Sequence, residues 1–242
     1  MSTPKLRIAH LYPDLLNLYG DIGNITTITK RCEWRGIKVE TDSIYGNEKI
    51  HFTDYDLVFL GGGSDREQLL VRDKLISMKS EITSYVNDGG VLLAVCGGYQ
   101  LLGSYYKLKE ETIEGLEILN IQTEIGDKRL IGDVVIKNDK FGTIVGFENH
   151  GGRTFINDHT PLGKVVYGHG NNDTDGIEGV MYKNVIATYL HGSLLPKNPV
   201  LCDHIIKLML EQRGISFDLS ELDDSAENQA HKYIIDRFTS NK

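Results

Sequence analysis

Apolar positions in the first hundred residues fall into short continuous runs, and the stretches between them carry helical spacing or turn residues. Residues 6–11 read as a first strand. The polar loop Asn17-Leu18-Tyr19-Gly20-Asp21-Ile22-Gly23-Asn24 follows, then a helix over about 25–35 that Gly36 ends. A second strand is expected over 37–40 and a third over 55–60, stopping at Gly61-Gly62-Gly63-Ser64-Asp65. One helix then runs from about Arg66 through Met78 to Asn87, before Gly89-Gly90 and a fourth apolar run, 91–95. Strand, helix, strand, helix at this spacing predicts an α/β fold with a parallel sheet and helices on both faces.

The middle of the chain changes character. Residues 118–125, 133–137 and 142–148 are short alternating or β-branched runs joined by polar turns, which suggests a more antiparallel set, and the sheet is expected to be mixed there. A further apolar run covers 185–190. Residues 201–213 form an amphipathic helix ended by Gly214, and 225–238 a second one, with 221–227 an acidic, solvated linker and helix start. No internal repeat divides the sequence. We expect a single domain over 1–242, with the C-terminal helices, about 200–240, packed on or flanking it.

Composition narrows the functions open to such a fold. With 242 residues, 40% hydrophobic and 25% charged, the chain can bury a sizeable core. A formal net charge of -8 argues against a nucleic-acid or anionic-membrane footprint. The start, Met1-Ser2-Thr3-Pro4-Lys5-Leu6-Arg7, lacks the long apolar stretch of a signal peptide and no run is long enough to span a membrane, so a cytoplasmic location is expected. Cys32, Cys96 and Cys202 are too few and too far apart for a disulfide framework or a zinc site, and no metal is expected. Cys32 and Cys202 fit core positions of helices.

Cys96 is different, because Val91-Leu92-Leu93-Ala94-Val95-Cys96-Gly97-Gly98-Tyr99-Gln100 has the form of a nucleophile elbow. A sharp strand-to-helix turn lifts the side chain off the sheet edge, and Gly97 and Gly98 leave room for it. A thiol at a helix start is expected to have a lowered pKa, and the backbone N–H groups there can cradle an oxyanion. The competing reading is a small buried residue that ends a core strand. His191, closing the run Thr188-Tyr189-Leu190-His191-Gly192, is the candidate base that takes the thiol proton and returns it to a leaving amine. The glycine loop lacks the lysine of a phosphate loop and the spacing of a dinucleotide site. It is either a tight turn or a source of backbone N–H donors, from Gly62 and Gly63, for an oxyanion.

Cys96-Gly97-Gly98-Tyr99-Gln100, with Tyr189-Leu190-His191-Gly192 and Gly61-Gly62-Gly63, resembles the class I glutamine amidotransferases of the cobyric acid synthase type. The resemblance is closer to one branch, the glutaminase subunits of lipid II isoglutaminyl synthases. It rests on the 17–24 loop, on Gly61-Gly62-Gly63-Ser64-Asp65-Arg66-Glu67-Gln68, on Phe141 to Thr154, and on Gly168-His169-Gly170-Asn171-Asn172. It covers nearly the whole chain. It implies a flavodoxin-like domain with a mostly parallel central sheet flanked by helices, and a cysteine that attacks the carboxamide of glutamine. Gln100, Asn149, His150 and Gly151 are then expected at the glutamine pocket, with His150 lining it from a loop rather than carrying the proton.

For the substrate carboxylate, Arg129 aligns with a binding arginine of the branch and Arg153 is a second candidate, since a guanidinium binds carboxylate bidentately. The chain departs from many class I relatives at Ser193, where those carry a glutamate that orients the imidazole. Asp21 is the candidate third catalytic member, with Glu148 behind it, and a turn or helix-cap role for Asp21 is the alternative.

The resemblance implies a heterodimer in which this subunit supplies ammonia to a Mur-ligase-like partner that amidates the α-carboxyl of D-glutamate in the lipid II stem peptide. ATP and Mg are expected only in that partner, with no cofactor here. Three alternatives stand beside it: the amidotransferase part of a cobyric acid-type synthase, a cysteine peptidase or related hydrolase on the same scaffold, and a non-catalytic scaffold subunit.

Overall fold

In the computed structural model, which describes residues 4–46, 50–191 and 193–239, the chain forms two six-stranded sheets. Gly192 and the first three residues, quoted in the motifs above, lie outside the described residues. The elements of the first half are β1 (Lys5–Leu11), α1 (Ile22–Glu33), β2 (Lys38–Ile44), β3 (Leu57–Leu60), α2 (Asp65–Ser77), α3 (Lys79–Asn87), β4 (Leu92–Val95) and α4 (Gly97–Leu101). Then come β5 (Tyr105–Lys107), β6 (Thr112–Glu114), β7 (Gln122–Asn138), β8 (Gly142–Phe155), β9 (Gly163–Tyr167), β10 (Ile177–Glu178), β11 (Val180–Tyr182), β12 (Val185–Thr188), α5 (Pro199–Gln212) and α6 (Ser225–Thr239).

The first sheet has the order β11-β12-β4-β3-β1-β2, parallel except for β11. Leaving aside that edge strand, this is the flavodoxin-like order, in which ligands gather at the carboxyl ends of the strands. Every residue of β3, β4 and β12 is buried, as continuous apolar runs covered on both faces should be. The right-handed rule for parallel crossovers, applied to this strand order, puts α1 and the α2–α3 pair on opposite faces.

Three expectations about the elements change. α1 begins at Ile22 rather than near residue 25, because the Asn17 side chain accepts the Ile22 N–H at 2.9 Å and starts the helix early. The single helix expected over 66–87 is two, α2 and α3, broken at Met78, where the Ser77 hydroxyl bonds back to the Lys74 carbonyl at 2.6 Å and competes with the helical ladder. The middle runs build a sheet of their own rather than a mixed extension of the first. β7 and β8 form one long antiparallel hairpin with β9, β10, β5 and β6 beside it. That sheet touches the end of β12 through one bridge, Phe147 to His191, with the His191 N–H on the Phe147 carbonyl at 2.9 Å.

Cys32 and Cys202 are fully buried in α1 and α5. Between those helices, Arg31 meets Asp203 through Nε at 2.7 Å and Nη2 at 2.8 Å, and reaches Asp224 as well; Arg35 bonds Asp203 at 2.6 Å and 3.1 Å and the Ser220 carbonyl at 2.7 Å. The acidic stretch before α6 is therefore not simply a solvated linker. Asp224 neutralises a buried arginine and ties the C-terminal segment to α1.

Candidate active site

Cys96 leaves β4 with φ +51° and ψ −108°, a left-handed backbone that a side-chain-bearing residue adopts only under constraint from its surroundings. The constraint is visible on both sides. The Cys96 N–H bonds the Thr188 carbonyl of β12 at 2.8 Å, and the Gly98 N–H bonds the Gly61 carbonyl at 3.1 Å. A Cβ on Gly98 would stand 2.5 Å from the Leu60 carbonyl oxygen, and one on Gly97 2.8 Å from that of Gly63. Glycine is required here because the elbow packs directly on the backbone that follows β3.

The thiol faces a cleft of about 300 Å³, at the small end of ligand sites. The 3-10 turn Leu18–Gly20, the Gly63-Ser64-Asp65 segment, Gln68, Gln100, Tyr106 and the Arg129, Asn149, His150 and Gly151 group enclose it. Burial pushes the Cys96 thiol up to about 12, and the nearby Asp21 carboxylate adds to the effect; the Gly97 N–H and Arg129 act the other way. The expected lowering does not occur. α4 is a helix of five residues, too short for a large dipole, and desolvation outweighs it.

Asp21 is buried at the carboxyl end of β1. Its Oδ2 accepts the Gly62 N–H at 2.7 Å, its Oδ1 has no partner, and burial raises its carboxyl to about 7, with that N–H opposing. A Cβ on Gly62 would lie 3.0 Å from this carboxylate and 3.1 Å from the Cys96 Cβ.

His191 is buried beyond the end of β12. Its ring stacks on Tyr19 with centroids 4.5 Å apart and planes 13° apart, and meets Phe147 edge-on at 5.8 Å. Among the described residues neither ring nitrogen makes a well-formed hydrogen bond, the Asn149 backbone being the polar group that acts on the ring. Burial, His150, Arg129 and Lys197 together lower the ring's pKa to about 4, against a smaller opposing effect from the Asn149 backbone. The resting pair is a neutral thiol and a neutral imidazole.

The far wall carries charge of both signs. Between Ile125 and Leu130 the β7–β8 register breaks, and Arg129 lies in that irregularity. Its Nε donates to Asn149 Oδ1 at 3.0 Å and its Nη2 to the Asn149 carbonyl at 2.9 Å, leaving the other guanidinium donors for a ligand. Asp65 also lines the cleft. Burial raises its pKa, while Arg129 and the Tyr106 hydroxyl favour its charged form. On the floor, Gln100 donates to the Tyr189 hydroxyl at 3.1 Å and accepts from Gln68 at 2.8 Å.

A thiol on a strained elbow, an unpaired histidine one strand away, and an arginine with a carboxylate across a small cleft suit covalent chemistry on an amino acid. Residues 7–199 match the family of the CobB/CobQ-like glutamine amidotransferase domain. The chain belongs to that family. It is 48% identical, over 98% of its own length and 98% of the other, to the lipid II isoglutaminyl synthase (glutamine-hydrolyzing) subunit GatD of Staphylococcus aureus. It is 43% identical to the protein of that name from Streptococcus pneumoniae, over 86% of this chain and 82% of that one. In fold it resembles the structure of PurLQS from Thermotoga maritima, with a TM-score of 0.57 at 18% identity, covering 87% of this chain and 99% of that one.

The structure brings together Cys96, Gln100, Gly63, Arg129, Asn149, His150 and Gly151 at one cleft. It places His191 behind Tyr19, without a hydrogen bond to Cys96. Other roles change. Asp21 and Glu148 do not orient the imidazole: Asp21 holds the Gly62 N–H, while Glu148 accepts from His169 Nδ1 at 2.7 Å and from the backbone of His169 and Gly170. Gly62 therefore gives its N–H to Asp21 and does not offer it to an oxyanion. Arg153 is a brace and not a ligand arm, since it donates to the Gly151, Gly152 and Lys128 carbonyls. His150 lies on strand β8 rather than on a loop, stacked on Tyr189 at 3.6 Å with Nδ1 donating to the Gly152 carbonyl at 2.8 Å.

Sequence reading missed Asp65, Tyr106, Gln68 and Tyr19. Asp65 and Gln68 stood inside a quoted motif, and the Ser64-x-x-Glu67 capping box that starts α2 is the signal that the first turn of a helix presents them. Tyr106 arrives from the second sheet and carried no signal.

Proposed function

We propose that the chain is the glutamine-hydrolysing subunit of a lipid II isoglutaminyl synthase. The observation that carries this reading is the Cys96 elbow on a cleft whose opposite wall presents Arg129 and Asp65 together. Free glutamine has an α-carboxylate for the guanidinium and an α-ammonium for the carboxylate, and its carboxamide then reaches toward the thiol.

The chemistry follows from the protonation states. As Sγ attacks the carboxamide carbon, the thiol proton passes to His191, and the oxyanion is held by the Gly97 and Gly63 N–H groups. Collapse of the tetrahedral adduct breaks the C–N bond, and the imidazolium returns the proton to the departing nitrogen, which leaves as ammonia. Water, deprotonated by His191, then attacks the thioester; glutamate leaves and Cys96 regains its proton. A thiol held up near 12 and an imidazole near 4 favour the neutral pair at rest, so proton transfer accompanies attack instead of preceding it.

The ammonia is consumed by a Mur-ligase-like partner subunit that uses ATP and Mg to activate the α-carboxyl of D-glutamate in the lipid II stem peptide, in the cytoplasm. The relatives named GatD support this acceptor. The test is amidation of lipid II by the chain together with such a partner. Cys96→Ala is expected to abolish amidation from glutamine and to leave amidation from free ammonia intact. Loss of both, or of neither, contradicts the assignment.

A further inference from the structure

The histidine of this site is held in an unusual way. Among the described residues no carboxylate bonds either ring nitrogen, and the Asn149 backbone is the polar group that acts on the ring, so no carboxylate fixes its tautomer or rotation. What fixes the ring is aromatic contact: Tyr19 lies on one face at 4.5 Å and the Phe147 edge meets it at 5.8 Å. Tyr19 is itself nearly half exposed, and its backbone is left-handed at φ +59°. A bulky residue persists there only if neighbours hold it.

Two latches do so. Asn149 Nδ2 donates to the Tyr19 hydroxyl at 2.6 Å, and the Ser193 hydroxyl donates to the Gly20 carbonyl at 3.0 Å. Ser193, also left-handed at φ +56°, follows the histidine by two residues, so the segment carrying His191 grips the loop that covers it. Asn149 is in turn fixed by Arg129. A continuous set of contacts therefore runs from Arg129 through Asn149 and Tyr19 to the imidazole.

We propose that Tyr19 is a positioning residue, whose ring, latched by Asn149 and Ser193, holds the His191 imidazole in the orientation that a hydrogen-bonded carboxylate would otherwise impose. This rests on the glutaminase reading only where activity is the readout. Tyr19 also shields the ring from water, while His150, Arg129 and Lys197 are the charged or titratable groups that act on it and the Asn149 backbone opposes them.

Two measurements on the full chain test this, with Tyr19→Phe keeping the stack and losing the Asn149 latch, and Tyr19→Ala losing both the stack and that latch. The first is the His191 titration midpoint by NMR, which needs no activity. It is expected near 4 in the parent protein and in Tyr19→Phe, and higher by about one pH unit or more in Tyr19→Ala as water reaches the ring. The second is glutamate release, where Tyr19→Ala is expected to lower kcat about tenfold with a smaller change in KM, and Tyr19→Phe, which loses the Asn149 latch alone, to lower kcat about twofold. An unmoved midpoint in Tyr19→Ala, or a rise in KM alone, overturns the proposal. If the parent protein releases no glutamate in a Cys96-dependent way, the glutaminase reading fails, and the titration still decides the role of Tyr19.

Discussion

Two buried polar regions of this molecule are built on opposite rules. Between α1 and α5, Arg31 and Arg35 face Asp203 and Asp224, and the guanidinium and carboxylate groups meet in paired, near-bidentate contacts. At the carboxyl ends of β1, β4 and β12, the His191 ring nitrogens, Asp21 Oδ1 and Gln68 Oε1 are buried and, among the described residues, without a well-formed hydrogen bond. Leaving such atoms unpaired costs stability. The first region holds elements together; the second is arranged to receive a ligand and to move a proton.

Breaking the paired region should have the largest effect on folding. Arg31→Ala strips Asp224 of its arginine and leaves Asp203 with Arg35 alone, in a site where the arginine is 2% exposed, and is expected to cost about 3 kcal/mol in urea unfolding. A cost under about 1 kcal/mol would show that the cluster holds little. Arg129→Ala reverses the pattern: stability changes by no more than about 0.5 kcal/mol, while kcat/KM for glutamine falls about a hundredfold, mainly through KM. Unchanged KM would remove Arg129 from the substrate carboxylate.

Glu178 sharpens the comparison, because it is buried and bonded yet raised to about 8 by desolvation, against donors that include the Tyr189 N–H at 2.7 Å and the Thr188 hydroxyl at 2.9 Å. The folded chain keeps this proton between about pH 4.5 and 8, where the unfolded chain releases it, so the group's contribution to stability falls as pH rises through that window. Glu178→Gln removes the decline. The Tm of the parent protein should drop relative to the variant from pH 5 to pH 8, and parallel curves would contradict the buried, protonated state.

The two sheets also differ in how readable they were from sequence. The apolar runs of β1, β3, β4 and β12 and the Cys96-Gly97-Gly98 turn are local signals, since a strand buried on both faces and a glycine elbow each write themselves into consecutive residues. The second sheet was obscured because Gly126-Asp127-Lys128-Arg129 and Gly151-Gly152 interrupt the alternation of β7 and β8 where the register breaks. Pairings between distant segments left no local trace. Arg31 with Asp224, Asp21 with the Gly62 N–H, and Tyr19 with His191 each join positions that only the topology brings together.

The most direct measurement is release of glutamate from glutamine by the purified chain and by Cys96→Ala, each alone and with a Mur-ligase-like partner. Release by the parent protein that falls by about a thousandfold or more in the variant is the predicted result, as loss of a covalent nucleophile requires. Equal release by both, or none by the parent protein even with the partner, would contradict Cys96 as the nucleophile and the glutaminase assignment with it.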